Sequence, residues 1–446
     1  MTPGRHQLPA YHKAGYALGI HGIMYFWYAT NLFLFYFYTD VVGLTPAQAG
    51  TIFLISLIWD GVTDPVMGVI TDRIVARGGR YRPFVLIGGI PFCLSFVAVF
   101  FVPAAVNPFV YCLIANIVFR LFWTMTYIPY TSMLTRITTD SKERSSIGGY
   151  KTILTALAKL PVSFFVLSLV AILGAGNEAN GFLYTMSLIA VMACIAFVGC
   201  YALTPEDADL NTGSLRKNLA PSQIVANFRN NTQFWIVLFA LFAASGAYGL
   251  LLQSIIYYFK YNIGDSGSAK LAFTAIALAG LTAIPIWMRV VRKTSNRTVW
   301  FLGCCLAAGS LFTLYLIPAP GVWVVTVLIY LAAAGVNAFL MTFLPMIADT
   351  VDYGEWKSGH RVEALTFGFL SLANKLSIGA AGWLLGAMQT WVGFVPNVEQ
   401  SDATLHGLKG IMTLAPLAGI VISALIIFWY RIDADYHKAI LAKLRT

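Results

Sequence analysis

Apolar residues fill this chain in long blocks, not in the short alternating runs of half-buried strands. Windows of roughly 20 mostly apolar residues, the length that carries an α-helix across a bilayer, fall at 14–38, 46–70, 83–103, 108–132, 150–174, 182–202, 232–257, 268–288, 298–318, 322–346, 366–389 and 410–430. The pattern predicts an all-α polytopic membrane protein of twelve spans. Spans 2, 5 and 11 give the weakest signal, because each carries ionisable residues. A cleaved signal peptide is not expected, since span 1 is too long and no small-residue cleavage site follows it.

Composition narrows the class. Of 446 residues 58% are hydrophobic and only 11% are Asp, Glu, Lys or Arg, against about 25% charged in a soluble domain. The formal charge of +10 reads as topology and not as nucleic-acid binding, because the basic residues are scattered over seven connecting segments. With both termini placed in the cytoplasm, 22 Lys and Arg fall on the inner side and only Lys260, Lys270 and Lys409 on the outer. The positive-inside rule then sets the orientation of a bacterial inner-membrane protein. The six cysteines all lie inside spans with no metal-ligand spacing, and they read as small buried apolar residues.

The spans group into an N-terminal half, 1–202, and a C-terminal half, 232–431. A linker at 203–231 joins them, and a tail covers 432–446. Both halves carry a basic loop after their second span, at 72–82 and 289–297. Two six-helix halves describe a parallel-repeat secondary transporter with its substrate site near the midplane. No GxxxxGK[ST] loop is present, so ATP drive is not expected. Nothing resembles the positioned nucleophile, base and orienter of an enzyme.

Residues that do not belong in lipid mark the candidate chemistry. Asp60 and Asp64, in Trp59-Asp60-Gly61-Val62-Thr63-Asp64-Pro65, lie four apart and share a helix face. Two carboxylates in low dielectric repel, so the pair favours a shared proton or a bound Na⁺. Thr63 can add a hydroxyl, and Pro65 can release a backbone carbonyl. Pairing with Arg120 or Lys375 is the structural alternative. Lys375 in span 11 is too central to snorkel easily and is expected to face the acids.

In span 4, Asn116, Arg120, Trp123 and Tyr127 recur on one face and suit a sugar ring or an anion. In span 1, His21, Tyr25 and Tyr28 share a face, whereas the outer cluster from Phe33 to Tyr38 reads as belt and packing. Lys151, Lys159 and Asn374 complete the candidate substrate set. Asp72, Arg73 and Arg80 after span 2, and Asp349, Asp352, Glu355, Arg361 and Glu363 after span 10, are candidate gating charges.

Several motifs carry a resemblance along almost the whole chain: Tyr36-Phe37-Tyr38-Thr39-Asp40-Val41-Val42-Gly43-Leu44, the Trp59–Pro65 segment, Gly79-Arg80-Tyr81-Arg82-Pro83-Phe84, Ile128-Pro129-Tyr130 and Ala348-Asp349-Thr350-Val351-Asp352-Tyr353-Gly354-Glu355, followed by Gly359, Arg361 and Glu363. They resemble the glycoside–pentoside–hexuronide cation symporter family of the major facilitator superfamily, to which the melibiose permease belongs. The resemblance implies a twelve-helix fold, alternating access and a Na⁺ or H⁺ coupling ion held by Asp60 and Asp64, with Lys375 nearby. The positions matching the permease's galactoside-binding acids hold Met24 and Tyr127, and its helix-5 arginine matches Thr152, beside Lys151. Loss of two negative charges with Arg120 and the lysines kept favours an anionic sugar such as a hexuronide. A carrier of amphiphilic lipid-like or drug-like solutes and a non-transporting membrane sensor are the alternatives. No cofactor and no nucleic-acid partner are expected. The expected partners are a small sugar or sugar acid and membrane lipid, with the chain acting as a monomer.

Overall fold

The computed structural model describes residues 8–76, 81–138, 141–206 and 221–445. Helices account for nearly all of them, and no strand occurs among the described residues. The chain divides into two compact units, Met1–Leu215 and Arg216–Thr446.

Unit 1 holds α1 (Ala10–Ala29), α2 (Pro46–Ala76), α3 (Arg82–Val99), α4 (Pro108–Ile137), α5 (Ser141–Gly174) and α6 (Glu178–Leu203). Unit 2 holds α7 (Pro221–Asn230), α8 (Thr232–Tyr257), α9 (Ala269–Lys293), α10 (Asn296–Leu316), α11 (Val322–Ser358), α12 (Glu363–Trp391), α13 (Asp402–Ile427) and α14 (Ala434–Arg445). Twelve of these helices have 18 or more residues, one for each predicted span. Ten are both long and apolar enough to cross a membrane. The two that miss on apolarity, α1 and α12, carry His21 with its tyrosines and Asn374 with Lys375.

Boundaries depart from the sequence reading where a helix outlasts its apolar stretch. α11 runs on to Ser358, so Asp349, Asp352 and Glu355 ride on the end of the span-10 helix. Gly359 then ends it in the left-handed conformation (φ 72°), the usual helix stop. The segment read as linker contains the ten-residue α7, and the tail forms α14.

The first long helix of each unit ends the same way. α1 continues through wide, π-helical turns at Thr30–Leu34 and Phe37–Val41, and α8 continues through one at Tyr258–Ile263. A left-handed glycine follows each, Gly43 (φ 82°) and Gly264 (φ 85°). A side chain at either φ would be strained. This internal echo is sharper than the paired basic loops seen in the sequence.

Packing in unit 1 rests on small residues and aromatic rings. A Cβ at Gly15, Gly19 or Gly22 would fall within 3 Å of Leu203, Tyr130 or Phe197, so only glycine lets α1 lie this close to α4 and α6. Phe26 stacks on Phe96 (ring centroids 4.1 Å) and meets Phe92 edge-on (4.7 Å). Trp123 joins this core against Phe92 and Phe119 (5.5 and 5.9 Å).

Glu206, just past α6, reaches back to the start of α3. Its two carboxylate oxygens accept the amides of Tyr81 (2.6 Å) and Arg82 (2.9 Å), which are unserved donors at a helix start. Arg82 in turn lies over the Tyr201 ring (4.7 Å). Glu206→Ala is therefore expected to remove about 1–2 kcal/mol of stability, and Glu206→Gln less. Thermal unfolding of the two purified variants in detergent checks the order.

Candidate functional site

α2 and α4 run side by side in the same direction, and their polar residues meet in a three-rung ladder. Ser56 Oγ donates to Asn116 Oδ1 (3.1 Å). One turn on, Arg120 Nη1 lies 3.3 Å from Asp60 Oδ2. One turn further, Thr124 Oγ1 donates to Asp64 Oδ1 (2.8 Å). Each partner is sixty residues after its mate, so steps of four on both helices keep the rungs in register. The ladder extends at one end through Asn116 Nδ2, which donates to the Tyr38 hydroxyl (3.2 Å). The wide turn at Phe37–Val41 carries that tyrosine.

Asp60, Asn116 and Thr124 are almost fully buried, at 4%, 1% and 1% exposure. An ionised carboxylate buried to this degree requires close compensation. The formal charges of Asp60, Asp64 and Arg120 leave one negative. The carboxylates and the Thr124 hydroxyl are hard oxygen ligands of the kind that Na⁺ and similar cations take. Pro65 lacks an amide hydrogen inside α2, so the carbonyl of Gly61 has no helical donor and adds a further oxygen at this level. The Thr63 hydroxyl donates to the Trp59 carbonyl of its own helix (3.0 Å), which leaves its oxygen lone pairs available.

The four residues read as one face of α4 therefore separate. Asn116 and Arg120 belong to the ladder, Trp123 is packed in the aromatic core, and Tyr127 is half-buried with its ring 6.5 Å from that of Trp123. Thr124 and Ser56 were not singled out from the sequence. The signal for both was present, four residues on from Arg120 and four before Asp60.

A second cluster lies between α1 and α5. His21 Nδ1 donates to the carbonyl of Leu154 (2.8 Å), which leaves Nε2 to accept when the ring is neutral and to donate when it is protonated. The Tyr25 ring meets His21 edge-on (4.6 Å). Lys159 Nζ stands over the Tyr28 ring (5.5 Å). Lys151 Nζ stands 5.7 Å from the rings of both Tyr16 and Tyr130. Those two tyrosines stack (4.7 Å), and each hydroxyl donates to the other's carbonyl (3.3 and 3.0 Å). Nearer the helix starts, Lys13 pairs with Glu143 (2.8 Å). Aromatic faces hold a cation in place without neutralising it.

In unit 2, Lys375 is half-buried near the middle of α12, and the neighbouring Asn374 is exposed. The candidate gating charges after span 10 come together within this unit. Arg361 meets Asp352 (2.7 Å), Glu355 (2.8 Å) and Glu363 (3.1 Å). Hydrogen bonding to Glu355 first, then to the other two, pushes its guanidinium still further above its ordinary range. His437 of α14 stands 3.0 Å from Asp352 and 3.8 Å from Asp349. Asp72 and Arg73 lie on α2 with side chains outside the description, and Arg80 lies outside the described residues.

Known proteins align along almost the whole chain. The isoprimeverose transporter of Lactiplantibacillus pentosus is 28% identical over 90% of this chain and 85% of its own length. The inner membrane symporter YicJ of Escherichia coli K12 is 26% identical, over 97% and 94%. The glucuronide carrier protein homolog of the same strain is 23% identical, over 96% and 94%. Among solved structures, a bacterial homologue of the human lysosomal transporter Spinster superposes with a TM-score of 0.73 at 14% identity, covering 98% of this chain and 99% of that one. These proteins are transporters and not enzymes. Residues 15–434 match the family described as MFS/sugar transport protein, and the chain belongs to that family, as a multi-pass membrane transporter with the all-α, twelve-helix major facilitator fold.

Proposed function

We propose that this transporter couples entry of Na⁺ or H⁺ to uptake of a sugar bearing an anionic group, such as a hexuronide. The observation that carries the reading is the α2–α4 ladder. It holds two carboxylates and one guanidinium in register, with a net formal charge of one negative and oxygen ligands at Asp60, Asp64 and Thr124. One monovalent cation brings that set to neutrality. Buried acids in a membrane transporter are costly unless they are used or paired. Here Arg120 pairs with Asp60, and a bound cation would add to the compensation of the two carboxylates.

The sugar reading is supported by the α1–α5 cluster. Lys151, Lys159 and His21 stand among tyrosine rings, a setting that suits an anionic group joined to a ring with apolar C–H faces. Arg120, engaged with Asp60, serves the cation in this reading, and the lysines serve the substrate. The names of relatives for isoprimeverose and for glucuronide are consistent with a sugar or glycoside of either charge, and the basic cluster favours the charged one. The protein sits in the bacterial inner membrane with both termini in the cytoplasm. The Arg361 cluster on α11 and α12 acts as a gating contact. The cation binds first and raises sugar affinity, so the sugar must raise cation affinity by the same factor.

Uptake of a labelled glucuronide into proteoliposomes tests this, with a neutral glycoside alongside and with imposed Na⁺ and H⁺ gradients in turn. Glucuronide uptake that rises with one gradient is the expected result. Uptake of the neutral glycoside alone removes the anionic inference and keeps the coupling. Uptake indifferent to both gradients removes the coupling.

A further inference from the structure

At the basic end of unit 2, two cavities meet at Arg431. One, of about 320 Å³, lies between the start of α10 and the end of α13 and is lined by Arg297, Arg431, Ser295 and Thr298 together with Phe301 and Phe428. The second, of about 270 Å³, shares Arg431 and is more polar, lined by Thr232, Gln233, Tyr353 and Tyr436 beside Trp429. We infer that this double groove is a binding site for the headgroup of an anionic phospholipid.

Four observations carry the assignment. First, the guanidinium carbon of Arg297 stands over the Phe428 ring, 5.0 Å from its centre. That positions its donors at the cavity without neutralising them. Second, the cavity opens on the start of the 21-residue α10, where Ser295 Oγ serves the Thr298 amide (3.1 Å). The remaining first-turn amides and the helix dipole favour a phosphate there. Third, Arg292 and Lys293 end α9 just before this turn, so the surroundings are positive. The one carboxylate in the lining, Asp433, accepts the Tyr436 amide (2.8 Å) at the start of α14. The lining thus sums to a net positive charge. Fourth, the groove is flanked by exposed apolar side chains, Phe301 (41%), Leu425 (64%), Phe428 (60%) and Trp429 (64%). On a membrane-spanning helix such a face lies against acyl chains, with Trp at headgroup level. A basic pocket between helix ends over an apolar flank suits a phospholipid headgroup better than a soluble anion. The hydroxyls and amide of the second cavity suit a polyol headgroup such as glycerol.

The test uses the purified full-length protein in detergent. Thermal unfolding is followed with added phosphatidylglycerol, with phosphatidylcholine and with inorganic phosphate. Phosphatidylglycerol is expected to raise Tm by about 3–5 °C more than phosphatidylcholine does, and inorganic phosphate to have little effect. The Arg297→Gln/Arg431→Gln double variant is expected to lose that increment, while uptake in phosphatidylcholine vesicles stays intact. Native mass spectrometry of the wild type, expected to retain phosphatidylglycerol through delipidation, reads the site without any substitution. Equal stabilisation by both lipids, an unchanged increment in the double variant, or full reproduction by inorganic phosphate overturns the assignment. Both readouts are independent of cation coupling, so failure here leaves the proposed symport standing.

Discussion

Asp64→Asn is expected to collapse the accumulation ratio to about one while leaving the carrier folded and able to exchange. Asp64 is bound by a neutral hydroxyl, Thr124, whereas Asp60 is bound by the guanidinium of Arg120. Removing the charge of Asp64 takes one of the two carboxylates out of the proposed cation site, so the site's hold on a cation is expected to fail. Sugar can still bind and cross, but nothing ties its movement to the ion gradient. Counterflow in equilibrated vesicles separates this loss from misfolding, because it needs the carrier and not the gradient. Full accumulation by Asp64→Asn would falsify the cation assignment. Asp60→Asn is a harsher change. It takes the carboxylate partner from a partly buried Arg120, and leaving one charge of such a pair uncompensated is destabilising. Low yield is therefore expected for that variant, with partial rescue in Asp60→Asn/Arg120→Gln, which removes both charges together.

The contrast between the two acids also measures what the sequence disclosed. That both carboxylates share a face follows from their spacing, and that they matter follows from their place in an apolar span. Which acid takes the arginine does not follow, because spacing within α2 says nothing of its register against α4. That register makes Thr124 a ligand candidate and moves Arg120 from the sugar side to the cation side. The helices themselves were legible, since bilayer length and apolarity define them one at a time. Their polar extensions were not: α11 outlasts its apolar stretch and places Asp352 and Glu355 on a helix where Arg361 bridges them. The π-helical turns in unit 1 and unit 2 were not read from the sequence either. The role of Glu206 was hidden too. Its partners at Tyr81 and Arg82 are more than a hundred residues away, and on its own it is one more polar residue after a span.

Lys159 offers the second large effect, because its two readings predict opposite signs. It stands over Tyr28 between α1 and α5, in a span where an ammonium group is costly. If it meets the anionic group of the substrate, Lys159→Met removes one partner of a desolvated charge pair. Losses of about 2–5 kcal/mol are usual for such truncations. The KM for a glucuronide should then rise about 30-fold or more, while the KM for a neutral glycoside changes little and kcat for both stays close to wild type. If Lys159 serves only internal packing, replacing a half-buried cation in a span by an apolar side chain of similar length should stabilise the protein and leave the ratio of the two KM values unchanged. Uptake kinetics on the paired substrates, with thermal unfolding of the same preparation, therefore distinguish the two readings in one experiment. A raised Tm with an unchanged KM ratio would remove Lys159 from the substrate site. A selective loss for the glucuronide would place the anionic group against α5, on a different helix from the acids proposed to hold the cation. Cation and sugar would then be bound by different helix pairs of one unit, α2–α4 and α1–α5, and their coupling would have to travel through the aromatic core around Phe26, Phe92 and Trp123 that packs between them.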